Sequence, residues 1–301
     1  MLKSLVRRVG AALGLTLLLG SMPAEARAPQ PAHPALWQVS DPDTTIYLFG
    51  TIHLLPDSLK WRTAKFDQAV ESSQQLVVET IVDQQNPAAV QQAMFSLGVK
   101  PGLPPIASRI PKAKVPKMRA YLAKAGIPEK GLDRMETWLA WLTLVSTEFK
   151  DMGLKGKDGP EEILRQQFLS EHKPIGQLET PTEQFGFFAK LPEAAQRKLF
   201  VDQIDGGPND DTQGAYDQML SPWKRGDVKS MAVAFNRDLT KSPELKAALL
   251  EQRNANWARW VEQRLGQPGT VFVAVGAGHL AGKDSVIARL QADGYKVTRL
   301  Q

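Results

Sequence analysis

The chain has 301 residues, with 37 lysines and arginines against 32 aspartates and glutamates, and it contains no cysteine. Disulfides, thiolate metal ligands and a lipid-modified cysteine anchor are therefore excluded, and any metal must be held by nitrogen and oxygen ligands. Four of the basic residues but only one acidic residue lie in the first 28 positions, so the rest of the chain is nearly neutral. That balance gives no support to a nucleic-acid partner.

The first 28 residues differ in character from the rest of the chain. Three basic residues precede an apolar run over residues 9–19, and small residues follow over 23–28. This order predicts a secretory signal peptide over residues 1–28. The apolar run is shorter than the roughly 20 residues that a membrane-spanning helix needs. We therefore expect a periplasmic or secreted protein with no stable membrane insertion.

Strand patterns follow near the start of the mature chain. An extended tether at 29–35 leads to two β-type runs, 36–40 and 45–50, and the turn residues between them favour a hairpin. Apolar spacing over 61–72 predicts a helix, and the run 76–78 predicts a buried parallel strand.

The C-terminal end repeats this arrangement. The pattern predicts a strand over 270–275, a helix over 283–293 that stops at Gly294, and a last strand over 295–300. Strand and helix units at both chain ends favour one shared sheet.

The middle of the chain is mostly helical in pattern, with one short extended run at 174–178. We therefore predict an α/β (α+β) fold in a single domain over residues 29–301. Its mixed β-sheet is formed by the N- and C-terminal segments, and a large helical insertion occupies about residues 84–265. The predicted helices of the insertion cover residues 115–125, 134–150, 160–171, 183–190, 192–204, 211–220, 228–238 and 243–265.

Two of the four histidines stand in matching contexts. His53 follows Gly50 and His279 follows Gly276, each as a GxxH motif at the end of a predicted strand. Ligands of open α/β sheets collect at the carboxyl ends of the strands, so both rings are expected at one edge. The glycines are expected to permit a positive φ and a close approach of a side chain or ligand. Either histidine alone could be a turn or core residue, whereas the matched pair favours a functional site.

Two glutamates are expected at the same edge. Glu79 ends the buried run Leu76 to Val78, where a carboxylate must be solvated, paired or bound to a metal. It could also simply reach water. Glu179 ends the short run before Thr180, although that stretch also has the pattern of a capped helix start.

Arg253 lies in the predicted helix 243–265, on the same side as Leu249 and Trp257. A guanidinium on an apolar stripe either extends its head to water or pairs with a carboxylate. In the second case Arg253, with Asn254 beside it, would orient a metal-bound carboxylate or stabilise charge on a substrate.

Motifs in family order run over nearly the whole mature chain, and by them the sequence resembles the TraB/GumN family, which is distantly related to the Tiki metalloproteases of animals. The points of likeness are the two GxxH segments, Glu79, residues 135–140, 156–158 and 178–184, and Arg253 with Asn254. The resemblance implies a fold like that of the erythromycin-esterase and haem-binding ChaN groups. It also implies a metal-dependent peptidase activity, with His53, His279 and Glu79 as metal or catalytic residues and Arg253 in support.

The leading hypothesis is therefore a metal-dependent hydrolase, a peptidase acting on a peptide or protein substrate. A divalent ion, Mn, Co or Zn, would be held by His53, His279 and Glu79 and would activate water, while Glu79 or Glu179 takes the proton. A ligand- or haem-binding protein that uses the same crevice without catalysis is the alternative. A third hypothesis is a regulatory or interaction protein in which the site is idle.

Overall fold

The computed structural model describes residues 30–83, 86–151, 154, 159–206, 212–239 and 242–301. The predicted signal peptide, residues 1–28, lies outside the described residues. Within these ranges the chain forms eight strands: β1 Gln30–Pro31, β2 Leu36–Ser40, β3 Thr44–Thr51, β4 Leu59–Lys60, β5 Gln75–Val78, β6 Ile175–Gln177, β7 Gly269–Gly276 and β8 Val297–Arg299.

The predicted hairpin is confirmed: β2 and β3 pair antiparallel from Leu36 opposite Phe49 to Ser40 opposite Thr45. The turn is stabilised by Asp41, whose Oδ1 accepts hydrogen bonds from the backbone N–H groups of Asp43 at 3.1 Å and Thr44 at 2.7 Å. An aspartate that bonds the backbone two and three residues ahead favours a tight turn over continued strand.

Six of the strands form one mixed sheet in the order β6-β5-β7-β3-β2-β8, and β1 pairs with β4 apart from it. The pairs β3–β7, β7–β5 and β5–β6 are parallel, whereas β2 pairs antiparallel with both β3 and β8. The predicted mixed sheet built from both chain ends is thus confirmed. Its edge strand β6, however, comes from within the segment predicted as a helical insertion.

Helices account for most of the remaining chain. They are α1 Ala64–Ser72, α2 Ala88–Gly98, α3 Val115–Ala125, α4 Glu129–Leu132, α5 Thr137–Asp151, α6 Pro160–Ser170, α7 Pro181–Ala189, α8 Glu193–Gly206, α9 Thr212–Lys224, α10 Val228–Leu239, α11 Pro243–Lys246, α12 Gln252–Leu265 and α13 Val286–Ala292. Short 3₁₀ turns occupy Ile106–Ser108, Lys112–Lys114 and Ala277–Leu280, and a π-helical turn, Ala247–Glu251, joins α11 to α12. In the described part of the chain, no helix is both long and apolar enough to cross a membrane.

Alternating side chains of the sheet enter two apolar layers. On β3, Ile46 and Leu48 belong to one buried cluster and Phe49 to the other, as the two-residue period of a strand requires. The Phe49 layer contains packed aromatic rings and continues into the helices between β5 and β7. The opposite layer is covered by α12 and α13, so α12 lies directly against the sheet that carries the site.

Candidate active site at the strand ends

Parallel pairing places four strand ends side by side. Thr51, the last residue of β3, is opposite Gly276, the last residue of β7. Val78 ends β5 opposite Gln177, which ends β6. His53, His279, Glu79 and Glu179 follow these four ends, and the structure brings all four side chains to one edge of the sheet.

Arg253, from α12, lies between the two glutamates. Its Nη2 donates to Glu79 Oε2 at 2.9 Å and to Glu179 Oε2 at 2.8 Å, and its Nε donates to both oxygens of Glu179 at 3.0 Å. All three side chains are buried, with Arg253 and Glu79 each 4% exposed and Glu179 5% exposed. Arg253 therefore does not extend its head to water, and Glu79 does not reach water from its strand end.

Aromatic rings and an amide complete this ionic cluster. Trp257, one turn after Arg253, donates its indole N–H to Glu179 Oε1 at 3.0 Å and stacks its ring 4.7 Å from the guanidinium carbon. Phe187 faces the guanidinium at 5.6 Å, and the Gln184 amide lies 3.5 Å from Glu79 Oε2. The helical spacing predicted Trp257 on the apolar side of the helix, and the sequence predicted no role for Phe187 or Gln184. Thr180 caps α7 as predicted, so Glu179 combines a helix-start position with a buried ion pair.

The His279 ring is fixed by hydrogen bonds on both sides. Asn254 donates its amide N–H to the carbonyl of Asp284 at 2.8 Å, which leaves its Oδ1 as the acceptor facing His279 Nδ1 at 2.6 Å. The Nδ1 of His279 therefore carries the proton, and its Nε2 lone pair accepts from Arg253 Nη1 at 3.1 Å. Asn254 thus contacts a histidine rather than a carboxylate.

The His53 ring is held by a residue that the sequence analysis did not select. Its Nδ1 contacts Glu161 Oε1, and the Thr51 hydroxyl donates to the same oxygen. The Nε2 of His53 is buried and has no hydrogen-bond partner among the described residues. Glu161 lies in the first turn of α6, and nothing in the sequence distinguished it from its neighbour Glu162.

Burial and charge separate the pKa values of the two carboxyls. Burial alone would raise the pKa of Glu79, but the charge of Arg253, followed by the two histidines and the Gly276 N–H, which donates at 2.6 Å, lowers that pKa to about 2. Burial raises the pKa of Glu179, and its contacts with Arg253 only partly oppose this rise. Glu79 is therefore the carboxylate that stays ionised over the wider pH range.

Burial and charge also give the two histidines different pKa values. Burial, followed by the charge of Arg253, lowers the pKa of His279 to about 3. Burial would also lower the pKa of His53, but the adjacent Glu161 carboxylate outweighs it and raises that pKa above its ordinary value. His279 is consequently a neutral ring at physiological pH, in agreement with its hydrogen bonds.

Residues 35–299, which include every side chain of this site, match the TraB/PrgY/gumN family. The chain belongs to that family. It is similar to the uncharacterised protein YbaP of Escherichia coli (strain K12), with 23% identity over 247 residues that cover 80% of this chain and 85% of the relative. YbaP of Shigella flexneri matches to the same extent. No solved structure matches the chain.

The glycines of the two GxxH motifs in this TraB/PrgY/gumN chain serve close packing. The expectation of a positive φ is wrong at both, because neither Gly50 nor Gly276 has one. A Cβ atom on Gly50 would lie 2.9 Å from Ala277 Cα, and one on Gly276 would lie 3.0 Å from Glu79 Oε1. The expected close approach is therefore present, and at Gly276 the approaching group is the carboxylate of the site itself.

We predict that Gly276→Ala lowers the free energy of unfolding by about 1–3 kcal/mol, because the added methyl group must push Glu79 away from its N–H donor. Gly131→Ala is the control, since a Cβ there meets nothing within 4 Å and its helix gains from the loss of glycine. Urea unfolding of both variants measures the difference. Equal stability of Gly276→Ala and wild type would show that the carboxylate is loosely held.

The donor set of the site fits a metal ion in part. Two imidazole nitrogens and a carboxylate oxygen suit a divalent transition metal, and the point where a Gly276 Cβ would lie is 3.0 Å from Glu79 Oε1 and 4.0 Å from His53 Nε2. The unpartnered Nε2 of His53 fits a ligand role. Arg253 Nη1, however, occupies the lone pair of His279, and within the described ranges no group of three His, Asp or Glu side chains is close enough to hold an ion.

Proposed function

We propose that this TraB/PrgY/gumN protein is a metal-dependent hydrolase, a peptidase, with His53, His279 and Glu79 as the metal ligands. The observation that carries the proposal is the orientation of the two imidazoles. Each ring has its Nδ1 tied to a side-chain oxygen. His279 Nε2 lies 3.9 Å from Glu79 Oε1, and the point where a Gly276 Cβ would lie is 3.0 Å from that oxygen and 4.0 Å from His53 Nε2. Histidine ligands of metals are held in this way, with the outer ring N–H bonded to a polar group.

A divalent ion held by these residues would supply Lewis-acid activation of a water molecule and of the scissile carbonyl. The neutral His279 ring has its Nε2 lone pair without first losing a proton, and an ion bound there would displace the hydrogen bond that this lone pair accepts from Arg253 Nη1. Glu79 is ionised down to low pH because its pKa is about 2. Of the two carboxylates that the sequence left open, Glu179 has both oxygens occupied by Arg253, and Trp257 donates to it as well. Glu179 therefore holds Arg253 in place, and Glu79 is the carboxylate that faces the histidines.

Exposure indicates the side from which a substrate reaches the cluster. The side chains of Glu79, Arg253 and His279 are at most 5% exposed, whereas those of His53 and Glu161 are 11% and 19% exposed. A peptide would therefore approach past His53, and Arg253 lies behind the ligands as a fixed positive charge that supports charge developing on the substrate.

We predict that the purified mature protein binds one equivalent of Mn²⁺, Co²⁺ or Zn²⁺, and that His53→Ala and His279→Ala each weaken this binding at least about 100-fold, since each removes a direct ligand. Calorimetry and elemental analysis measure the affinity and the stoichiometry. The matched control is His33→Ala, because His33 is exposed, precedes β2 and makes none of the contacts of the site. Loading with each metal then allows a screen of peptide substrates.

Binding that survives both histidine substitutions would place the ion elsewhere, and no binding under any loading condition would contradict the hydrolase proposal. In the second case, a new Soret band on addition of haem would support the ligand-binding alternative. Stoichiometric binding without turnover of any peptide would leave a metal-binding protein and contradict the peptidase part of the proposal.

A further inference from the structure

The carboxylate of Glu161 is directed into the site from a helix that the proposed ligands do not share. It follows Pro160 at the start of α6, and its Oε1 contacts both His53 Nδ1 and the Thr51 hydroxyl. Thr51 is 2% exposed and ends β3, so one hydrogen bond of the carboxylate comes from a buried side chain at the end of a sheet strand. Glu161 is therefore hydrogen-bonded to the last residue of β3, two positions before His53.

This contact determines which nitrogen of His53 is free. A carboxylate beside Nδ1 favours the ring form that carries its proton there, and the buried Nε2 is then a bare lone pair. Without Glu161, the ring could rotate or carry its proton on Nε2, and either change would remove the lone pair from the site. Because Nε2 makes no hydrogen bond to any described residue, its lone pair can accept one from a ligand or bind an ion.

The second histidine shows the same arrangement with a different residue. His279 Nδ1 is held by Asn254, which is itself fixed by the carbonyl of Asp284. Both rings are thus held from the outside at Nδ1 and present Nε2 inward. The outer partner is an amide at His279 and a carboxylate at His53, so only at His53 is the group bonded to Nδ1 charged.

The adjacent residue, Glu162, lies in the same helical turn but does not contact His53. Its two oxygens pair with Arg165, three residues later, at 2.8 and 3.0 Å. Both glutamates favour the helix N-terminus through their charge. Only Glu161 uses its carboxylate on a residue of the site, so the general benefit of an acidic first turn does not explain its contact.

We propose that Glu161 is the positioning residue of His53, and that together with Thr51 it holds the ring so that Nε2 faces Glu79 and His279. Its effect on metal affinity rests on the proposed function, whereas its effect on the ring does not. The two effects are therefore measured separately.

The first measurement uses metal-free protein labelled with ¹⁵N-histidine at alkaline pH, where the ring is neutral. Long-range ¹H–¹⁵N correlation spectra show which nitrogen carries the proton, and His53→Ala assigns the signals. Wild type is expected to carry the proton on Nδ1, and Glu161→Ala to move it toward Nε2. Glu161→Gln should retain the wild-type form, since its amide oxygen still accepts. Glu162→Ala, the matched control, should leave the ring unchanged.

The second measurement is Co²⁺ affinity, followed by the absorption of the bound ion. Glu161→Ala should weaken binding roughly 10–100-fold, Glu161→Gln should weaken it less, and Glu162→Ala should leave it unchanged. An unchanged His53 proton position in Glu161→Ala would overturn the proposal. If Glu161→Ala does not fold, an unchanged His53 proton position in Glu161→Met, which keeps much of the volume but cannot accept a hydrogen bond, would overturn it equally. Wild type that binds no Co²⁺ would contradict the proposed function, and the spectra would still decide the role of Glu161.

Discussion

Replacing Arg253 with methionine is expected to lower the free energy of unfolding by about 3–5 kcal/mol, the range for removing one partner of a buried ion pair. Methionine keeps much of the volume but removes the charge, so Glu79 and Glu179 would remain buried with no positive group between them. Four hydrogen bonds from Arg253 to these carboxylates would be lost at the same time. Urea unfolding near neutral pH measures the change.

Two comparisons separate the loss of charge compensation from the loss of packing. Arg165→Met is the matched control, because Arg165 is also mostly buried but pairs with Glu162 and Asp83, which are closer to solvent. Its loss should therefore cost less. Adding Glu79→Gln and Glu179→Gln to Arg253→Met should recover part of the stability, since no unpaired charge then remains buried. A neutral triple variant as unstable as Arg253→Met would show that packing, not charge, dominates at Arg253.

The edge that carries the site could be predicted because parallel strands bring their ends into register. His53, His279, Glu79 and Glu179 each follow a short apolar run that could be recognised in the sequence. Once those runs pair in parallel, the positions of the four side chains are nearly determined. This argument needs only local patterns and one rule of sheet geometry.

The partner of Arg253 could not be chosen by the same reasoning. The helical stripe placed Arg253 on an apolar face, but it allowed either exposure to water or pairing. The choice depends on α12 packing against the sheet, and on Glu79, 174 positions away in the chain, meeting its guanidinium. The π-helical turn before α12 was also beyond prediction, because its residues, Ala247–Glu251, have an ordinary helical composition.

The contact of Glu161 with His53 could not be predicted from the sequence. It and Glu162 occupy one helical turn, and both suit a helix start equally well. Which of the two faces His53 depends on how α6 is rotated and placed beside β5, and neither is encoded in the local pattern. Helix α2 was not predicted for a different reason. Only Ala93 and Gly98 are buried in it, so its sequence has no clear apolar face.

The metal-free protein is expected to lose stability as the pH falls below about 6.5, and His279 should be the main cause. Its pKa is lowered from 6.5 to about 3 in the folded chain. Between these values the unfolded chain binds a proton that the folded chain does not, so each pH unit costs about 1.4 kcal/mol. The total loss across this window, from pH 6.5 to about 3, is about 5 kcal/mol.

The other titratable groups of the site also change the pH dependence of stability. Glu79, with its pKa lowered from 4.5 to about 2, adds a second loss only below about pH 4.5. Glu179 and His53 act in the opposite direction, because their raised pKa values make the folded chain bind protons first. Their stabilising effects are complete below the ordinary pKa values of each group and disappear as the pH rises through the folded-state values. Stability should therefore be highest near pH 6.5 and fall on the acid side.

Unfolding in urea at about pH 7, 6, 5 and 4, with a chelator present, measures this dependence for wild type and for His279→Gln. The variant should be less stable near neutral pH, because Asn254 and Arg253 each lose a ring partner, but its stability should change much less between about pH 6.5 and 4. The control, His33→Gln, replaces an exposed histidine and should follow the wild-type curve. Parallel curves for wild type and His279→Gln would mean that the folded chain takes up the His279 proton as readily as the unfolded chain does in this pH range, and would contradict the lowered pKa. A ring protonated in this range could not accept the Arg253 N–H there, so this result would also contradict the hydrogen-bond arrangement inferred for His279.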